Sequence, residues 1–170
     1  MPRLQSMPRL QTTICMCGLP FWTAVSFLPD GFRKSLQVPW IDWYNSLTKP
    51  SWTPAPGTIG LIWQILYPVI LISFGFVFVQ AIRGKISWMI ALPFAINLVA
   101  NLIFTPIQFG MRNLPLAAVD ILIIWATIIW CIVAIWSHYK WVSIAQVPYF
   151  IWVSIATVLQ LSITWSNWGK

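Results

Sequence analysis

From Pro50 to Ile82 the chain carries no acidic or basic side chain. A helix rises 1.5 Å per residue, so about 20 residues cross a hydrocarbon layer of ~30 Å, and the stretch from about Ile59 to Ile82 is long enough to do so. Comparable runs lie between Lys85 and Arg112 (about Ile86 to Phe109) and between Lys140 and Lys170 (about Trp141 to Trp165). From about Leu114 to Trp136 a further run is broken only by Asp120, read here as a first-turn carboxylate facing the positive end of a helix dipole. A shorter run, about Ile14 to Leu28, contains Gly18 and Pro20. With no small-residue cleavage pattern before Pro29-Asp30, it is read as a retained helix and not as a signal-peptide core. The five spans (14–28, 59–82, 86–109, 114–136 and 141–165) must be helical, because lipid offers backbone amides no hydrogen-bond partner. The expectation is an all-α integral membrane bundle, multi-pass, forming one domain over residues 1–170 with a long loop, 29–58, between its first two helices.

Composition agrees. Hydrophobic residues make up 59% and charged residues 8%, against roughly 25% charged in a soluble domain. The net charge of +7 does not mark a nucleic-acid protein, because the ten basic residues are scattered among segment ends and form no patch or reading motif. They suit interfacial anchoring. Arg3, Arg9, Arg83, Lys85 and Lys140 fall on one side of a five-span bundle, and Arg33, Lys34, Lys49, Arg112 and Lys170 on the other, so the charge bias assigns no orientation. Cys15, Cys17 and Cys131 lack the paired spacing a metal site or disulfide framework needs and read as small apolar fillers. MPRLQ occurs twice within the first eleven residues, a duplicated start.

At 100° per residue the few polar groups share faces. Asn97, Asn101, Phe104 and Gln108 align in the third span; Asp120, Thr127, Cys131 and His138 in the fourth; Tyr149, Trp152, Ala156 and Gln160 in the fifth. A charge at a helix centre in lipid costs on the order of 2.5–3.5 kcal/mol, so these stripes should turn inward. Inward placement is compatible with helix-to-helix hydrogen bonding, to which Asn97 and Gln108 are equally suited, or with a pocket, to which Asn101 and Trp152 nearer mid-span point. Trp63, Tyr67 and Phe74 add an aromatic wall in the second span. Such a wall with few polar handles favours a flat hydrophobic molecule. Trp22, Trp88, Trp141 and Trp168 suit lipid-facing anchors. The loop holds Trp40, Trp43, Tyr44 and Trp52 among Pro39, Pro50, Pro54 and Pro56, which fits a lid over a pocket or an interfacial aromatic belt. No nucleophile stands beside His138, there is no glutamate, and Asp120 has no basic partner within the spans, so acid–base catalysis and ion-coupled pumping are both disfavoured.

The segment from Trp43-Tyr44 through Lys49-Pro50-Ser51-Trp52-Thr53-Pro54 to Ile62-Trp63 resembles the translocator protein family, the tryptophan-rich sensory proteins. Asn97 and Asn101, Ala118-Val119-Asp120, and Pro148-Tyr149 with Trp152, Ala156 and Thr157 extend the resemblance over about Trp43 to Asn167. It implies a five-helix bundle, usually a homodimer in the membrane lipid, that binds protoporphyrin IX, related tetrapyrroles and benzodiazepine-type ligands under the first loop, with no required cofactor. By that resemblance Trp63 and Trp152 match the tryptophans associated with light- and oxygen-dependent porphyrin degradation. Asn97, Asn101, Phe104 and Ala156 match the cavity region, and Trp43, Tyr44, Trp52 and Pro54 match the lid. Two departures stand out. Pro54-Ala55-Pro56 replaces two consecutive prolines, and the stretch Ala156 to Asn167 lacks the tyrosine and basic residue of the family's sterol motif. The functions expected are porphyrin sensing with photo-oxidative breakdown or, alternatively, transport of tetrapyrroles or lipids across the membrane.

Overall fold

The computed structural model describes residues 39–169. The first expected span, 14–28, and Cys15, Cys17 and Trp22 lie outside these residues, as do residues 29–38 of the loop that follows. Among the described residues there is no strand, and four segments are long and apolar enough to cross a bilayer: Pro56–Ile82, Trp88–Gly110, Leu114–Trp136 and Lys140–Ser166. The chain is an integral, multi-pass membrane protein.

The loop contributes a short helix, α1 (Pro39–Ser46). After an irregular stretch comes α2 (Pro56–Ile82), begun by a proline whose missing N–H costs nothing in the first turn. At 27 residues it is about 40 Å long, more than a ~30 Å hydrocarbon layer, so it tilts or reaches into the headgroups. Helix α3 (Trp88–Thr105) starts at Ser87, whose hydroxyl accepts the Met89 N–H at 3.2 Å. It does not end cleanly. Pro106 lacks the N–H that would continue the α-helical ladder, and Pro106–Gly110 forms a π-helical turn closed by the Met111 N–H on the Pro106 carbonyl at 2.9 Å. Helix α4 (Leu114–Trp136) is capped by Asn113, which accepts the Leu116 N–H at 3.0 Å.

Two expectations change. The final span is not one helix but two, α5 (Lys140–Ala145) and α6 (Val147–Ser166), broken at Gln146 because Pro148 cannot donate to the preceding turn. Asp120 is not in the first turn of α4: that helix has no acidic residue there, and Asp120 is buried one turn further on, its Oδ2 without a hydrogen-bond partner.

Packing is tightest where α2, α4, α5 and the N-terminal part of α3 meet. Phe74 and Phe94 meet edge to face at 4.9 Å, and Val77, Cys131, Ile135 and Val142 are fully enclosed around them. Gln146, at the break, donates to Ser73 Oγ on α2 at 2.8 Å, and Ser143 donates to the Ile132 carbonyl at 3.0 Å. Trp88, Trp136, Trp141, Trp165 and Trp168 are exposed at helix ends, where an interfacial belt belongs.

Candidate functional site

The periodic stripes converge. Asn97, Asn101 and Gln108 are buried, as are Asp120, Thr127, Cys131, Tyr149 and Gln160, whereas His138 lies past the end of α4 and is exposed. Between these faces, under the loop, is a cavity of about 210 Å³. From α2 it is lined by Pro56, Gly60, Trp63 and Tyr67, at the 3–4 residue spacing of a single helical face; from α3 and the π-helical turn by Asn101, Phe104, Gln108 and Phe109. Ile121 and Ile124 of α4 and Trp152, Ala156 and Gln160 of α6 close it, with Tyr44 and Pro54 at the loop end.

The walls are aromatic and fixed. Trp63 stacks on Tyr67, centroids 5.1 Å apart, and meets Tyr149 at 6.2 Å edge-on. Behind that pair runs a buried hydrogen-bond chain joining three helices. Asn97 Nδ2 donates to the Ile124 carbonyl at 3.0 Å and to Thr127 Oγ1 at 2.9 Å, while its Oδ1 accepts the Tyr149 hydroxyl at 3.1 Å. Asn101 Nδ2 donates to the same Tyr149 oxygen. A buried Asn outside such a chain would cost about 1–3 kcal/mol. Nearer the loop, Gln160 Nε2 donates to Gln108 Oε1 at 3.1 Å and Thr164 Oγ1 at 3.3 Å, and Thr164 donates to the Leu114 carbonyl at 3.2 Å. The Trp152 indole N–H is buried with no partner, a donor that a ligand oxygen in the cavity would satisfy.

The residues singled out from the sequence divide accordingly. Tyr44, Pro54, Trp63, Asn101, Phe104, Trp152 and Ala156 line the cavity. Asn97 stands one layer behind, wholly enclosed and spent on helix-to-helix bonds. Trp43 packs with Leu47 on Leu114, Leu159 and Ile163, and Trp52 is about half exposed. Gly60, Ile121 and Phe109 were not singled out. Gly60 was within reach, since it continues the face of Trp63 and Tyr67, but Phe109 is turned inward by the π-helical turn, which no 3.6-residue periodicity anticipates.

A polar clasp ties the loop to the end of α6. Asn167, after the end of α6, uses its side-chain amide as a strand would use its backbone: Oδ1 accepts the Thr48 N–H at 3.0 Å and Nδ2 donates to the Thr48 carbonyl at 2.9 Å. Next to it, Lys49 folds back over the Tyr44 ring, 4.4 Å from the centroid, and donates to the Tyr44 carbonyl at 2.6 Å. Burial pushes the Tyr44 phenol above its ordinary pKa and the Lys49 ammonium below its own. Among the described residues no three His, Cys, Asp or Glu side chains gather as a metal site would require.

The comparisons with known proteins agree with this architecture. The profile of the TspO/MBR family matches residues 15–166. Tryptophan-rich protein TspO of Bacillus cereus is 38% identical over 86 residues, 50% of this chain and 54% of that protein. The tryptophan-rich sensory protein of Cereibacter sphaeroides is 30% identical over 115 residues, covering 67% and 63%, and the human translocator protein is 32% identical over 85 residues, covering 48% and 49%. The chain thus spans about half to just under two-thirds of the length of these relatives. With the family profile covering nearly its whole length, the chain belongs to the TspO/MBR family.

Proposed function

We propose that the chain is a membrane receptor or sensor that binds a flat hydrophobic ligand in this cavity, with porphyrins such as protoporphyrin IX and benzodiazepine-type molecules as the ligand classes. The observation that carries the reading is the aromatic wall of Trp63 and Tyr67 facing Trp152, whose buried N–H has no partner. Planar ring systems gain about 0.5–1.5 kcal/mol per aromatic pair beyond their burial, and the indole N–H fixes one ligand oxygen. Names agree with this at a coarser level: one relative is called a sensory protein and another a translocator protein.

At about 210 Å³ the cavity is smaller than the roughly 300–1,000 Å³ of pockets that enclose drug-sized ligands. A tetrapyrrole therefore enters only as the loop lifts from the helix ends. In the bound state an excited porphyrin takes an electron from the indole of Trp63 or Trp152 and passes it to dioxygen as superoxide; the indole radical cation then recovers an electron from the porphyrin, and the porphyrin radical cation so formed combines with superoxide, so that the net reaction adds dioxygen to the macrocycle. Protoporphyrin IX titrated into the purified protein in detergent should quench tryptophan fluorescence saturably. The Trp63→Phe/Trp152→Phe protein should still bind while forming no photoproduct under light and air. Non-saturating quenching would overturn the binding reading, and unchanged product in the double variant would overturn the chemistry.

The name of the human relative favours a second reading, movement of tetrapyrroles or lipids across the bilayer. Proteoliposomes showing no protein-dependent flux would reject it.

A further inference from the structure

None of the described residues that line the cavity is charged, so a molecule held there is oriented by neutral hydrogen bonds. Besides the Trp152 N–H, the lining includes two glutamines near the loop, Gln108 in the π-helical turn and Gln160 on α6. They are 2% and 5% exposed. Which end of each amide is left over follows from a carbonyl. The Leu114 carbonyl can only accept, so the Thr164 hydroxyl proton is spent on it at 3.2 Å. The Thr164 oxygen must then accept, and the group facing it at 3.3 Å is the Gln160 NH2. The second proton of that NH2 goes to Gln108 Oε1 at 3.1 Å, which turns the Gln108 NH2 away. Two groups end the relay without a bond to any described residue: the Gln108 NH2, a donor, and the Gln160 carbonyl, an acceptor. Unlike the Trp152 N–H, neither is fully enclosed. In side chains this buried, the open space they reach is the cavity that both line.

Buried amides are seldom left half-bonded, and a molecule carrying one acceptor beside one donor completes both. Resting on the ligand-binding reading above, we propose that Gln108 and Gln160 form a subsite that reads a lactam, Gln108 donating to the ligand carbonyl and Gln160 accepting the adjacent ligand N–H. A lactam is a cis amide, so its carbonyl and its N–H lie on one edge. An ionised carboxylate offers acceptors alone, and in an uncharged lining it would set its charge against the Gln160 carbonyl. Of the ligand classes proposed for the cavity, benzodiazepine-type molecules with an unsubstituted lactam nitrogen carry the matching edge.

The probes are a benzodiazepinone with a free lactam N–H, its N-methyl derivative and its thiolactam, each titrated into the full chain in detergent and read by tryptophan quenching. The free lactam should bind about tenfold more tightly than the N-methyl compound, because methylation leaves the Gln160 carbonyl buried and unbonded. The thiolactam, whose sulfur accepts weakly, should bind several-fold less tightly than the lactam. Gln108→Met should erase the thiolactam gap and keep the N-methyl gap, since Thr164 still holds Gln160 in place. Gln108→Met/Gln160→Met should erase both. An N-methyl gap that survives in the double variant reports a clash with the methyl group and overturns the subsite. If the double variant fails to fold, Gln108→Met decides: loss of the thiolactam gap upholds the subsite and its persistence overturns it. Saturable binding with either gap missing in the unaltered protein fails the subsite alone. If none of the three binds while protoporphyrin IX does, the subsite is again overturned and the cavity reading stands; if protoporphyrin IX also fails, the cavity reading falls first and the subsite with it.

Discussion

The two ends of the bundle are built on opposite principles. At the end where α4 finishes and α5 begins, Phe74, Val77, Phe94, Cys131, Ile135 and Val142 leave no room for a ligand, and the break at Gln146 is stitched to α2 by a single amide–hydroxyl bond. At the loop end α2, α3, α4 and α6 stand apart around a cavity, covered by a segment that Asn167 holds through two hydrogen bonds. The lesson is a division of labour: one half of the bundle fixes the helices so that the other half can stay hollow. Without water to drive helices together, dense packing at one end is what holds a membrane bundle in register.

If the halves are that distinct, damage to each should read out differently. The largest effect is expected for Phe94→Ala, which empties the centre of the dense half and should cost about 3–5 kcal/mol, seen as a marked fall in thermal midpoint in detergent with ligand affinity nearly unchanged in the folded fraction. A parallel collapse of affinity at temperatures where the protein remains folded would mean that the halves are coupled. Next comes Asn97→Leu, at the boundary. It leaves the Tyr149 hydroxyl proton without its acceptor while the bond from Asn101 remains, and should cost about 1–2 kcal/mol of stability and also weaken binding; an effect on only one of the two would move the boundary. Smallest is Asn167→Ala in the hollow half. Loss of the paired amide, about 1 kcal/mol, should leave the midpoint almost untouched while ligand association and dissociation both quicken several-fold in stopped-flow quenching. Unchanged exchange rates would show that the loop does not gate the cavity. Phe94→Ala combined with Asn167→Ala should be additive within about 0.5 kcal/mol.

The membrane class and the described spans were legible because lipid imposes two demands that sequence displays directly, length and apolarity: the four described spans begin and end within three residues of where the uncharged runs placed them. The inward faces were legible for the same reason, since Asn97, Asn101, Gln108 and Gln160 have nowhere else to go. What periodicity alone could not separate was the layer that lines the cavity from the layer behind it. Asn97 and Asn101 share a face, and only the position of Tyr149 and the Ile124 carbonyl decides that one is consumed by neighbouring helices while the other reaches the hollow. The regular 100° step also fails near Pro106 and Pro148, though not at Pro68 or Pro93, which α2 and α3 absorb unbroken, so the π-helical turn and the break before Val147 were invisible as such. Trp43 and Trp52 sit in a loop with no periodic register to reveal which ring faces in.

The contact between Asn167 and Thr48 reads only main-chain atoms of the loop. A grip of that kind is indifferent to which side chain position 48 carries, so the residues flanking it can drift and re-shape the entrance without unfastening it. On the proposed ligand-binding reading, holding the loop and shaping the entrance fall to separate atoms, so the side chains around the entrance could change while the clasp stays the same.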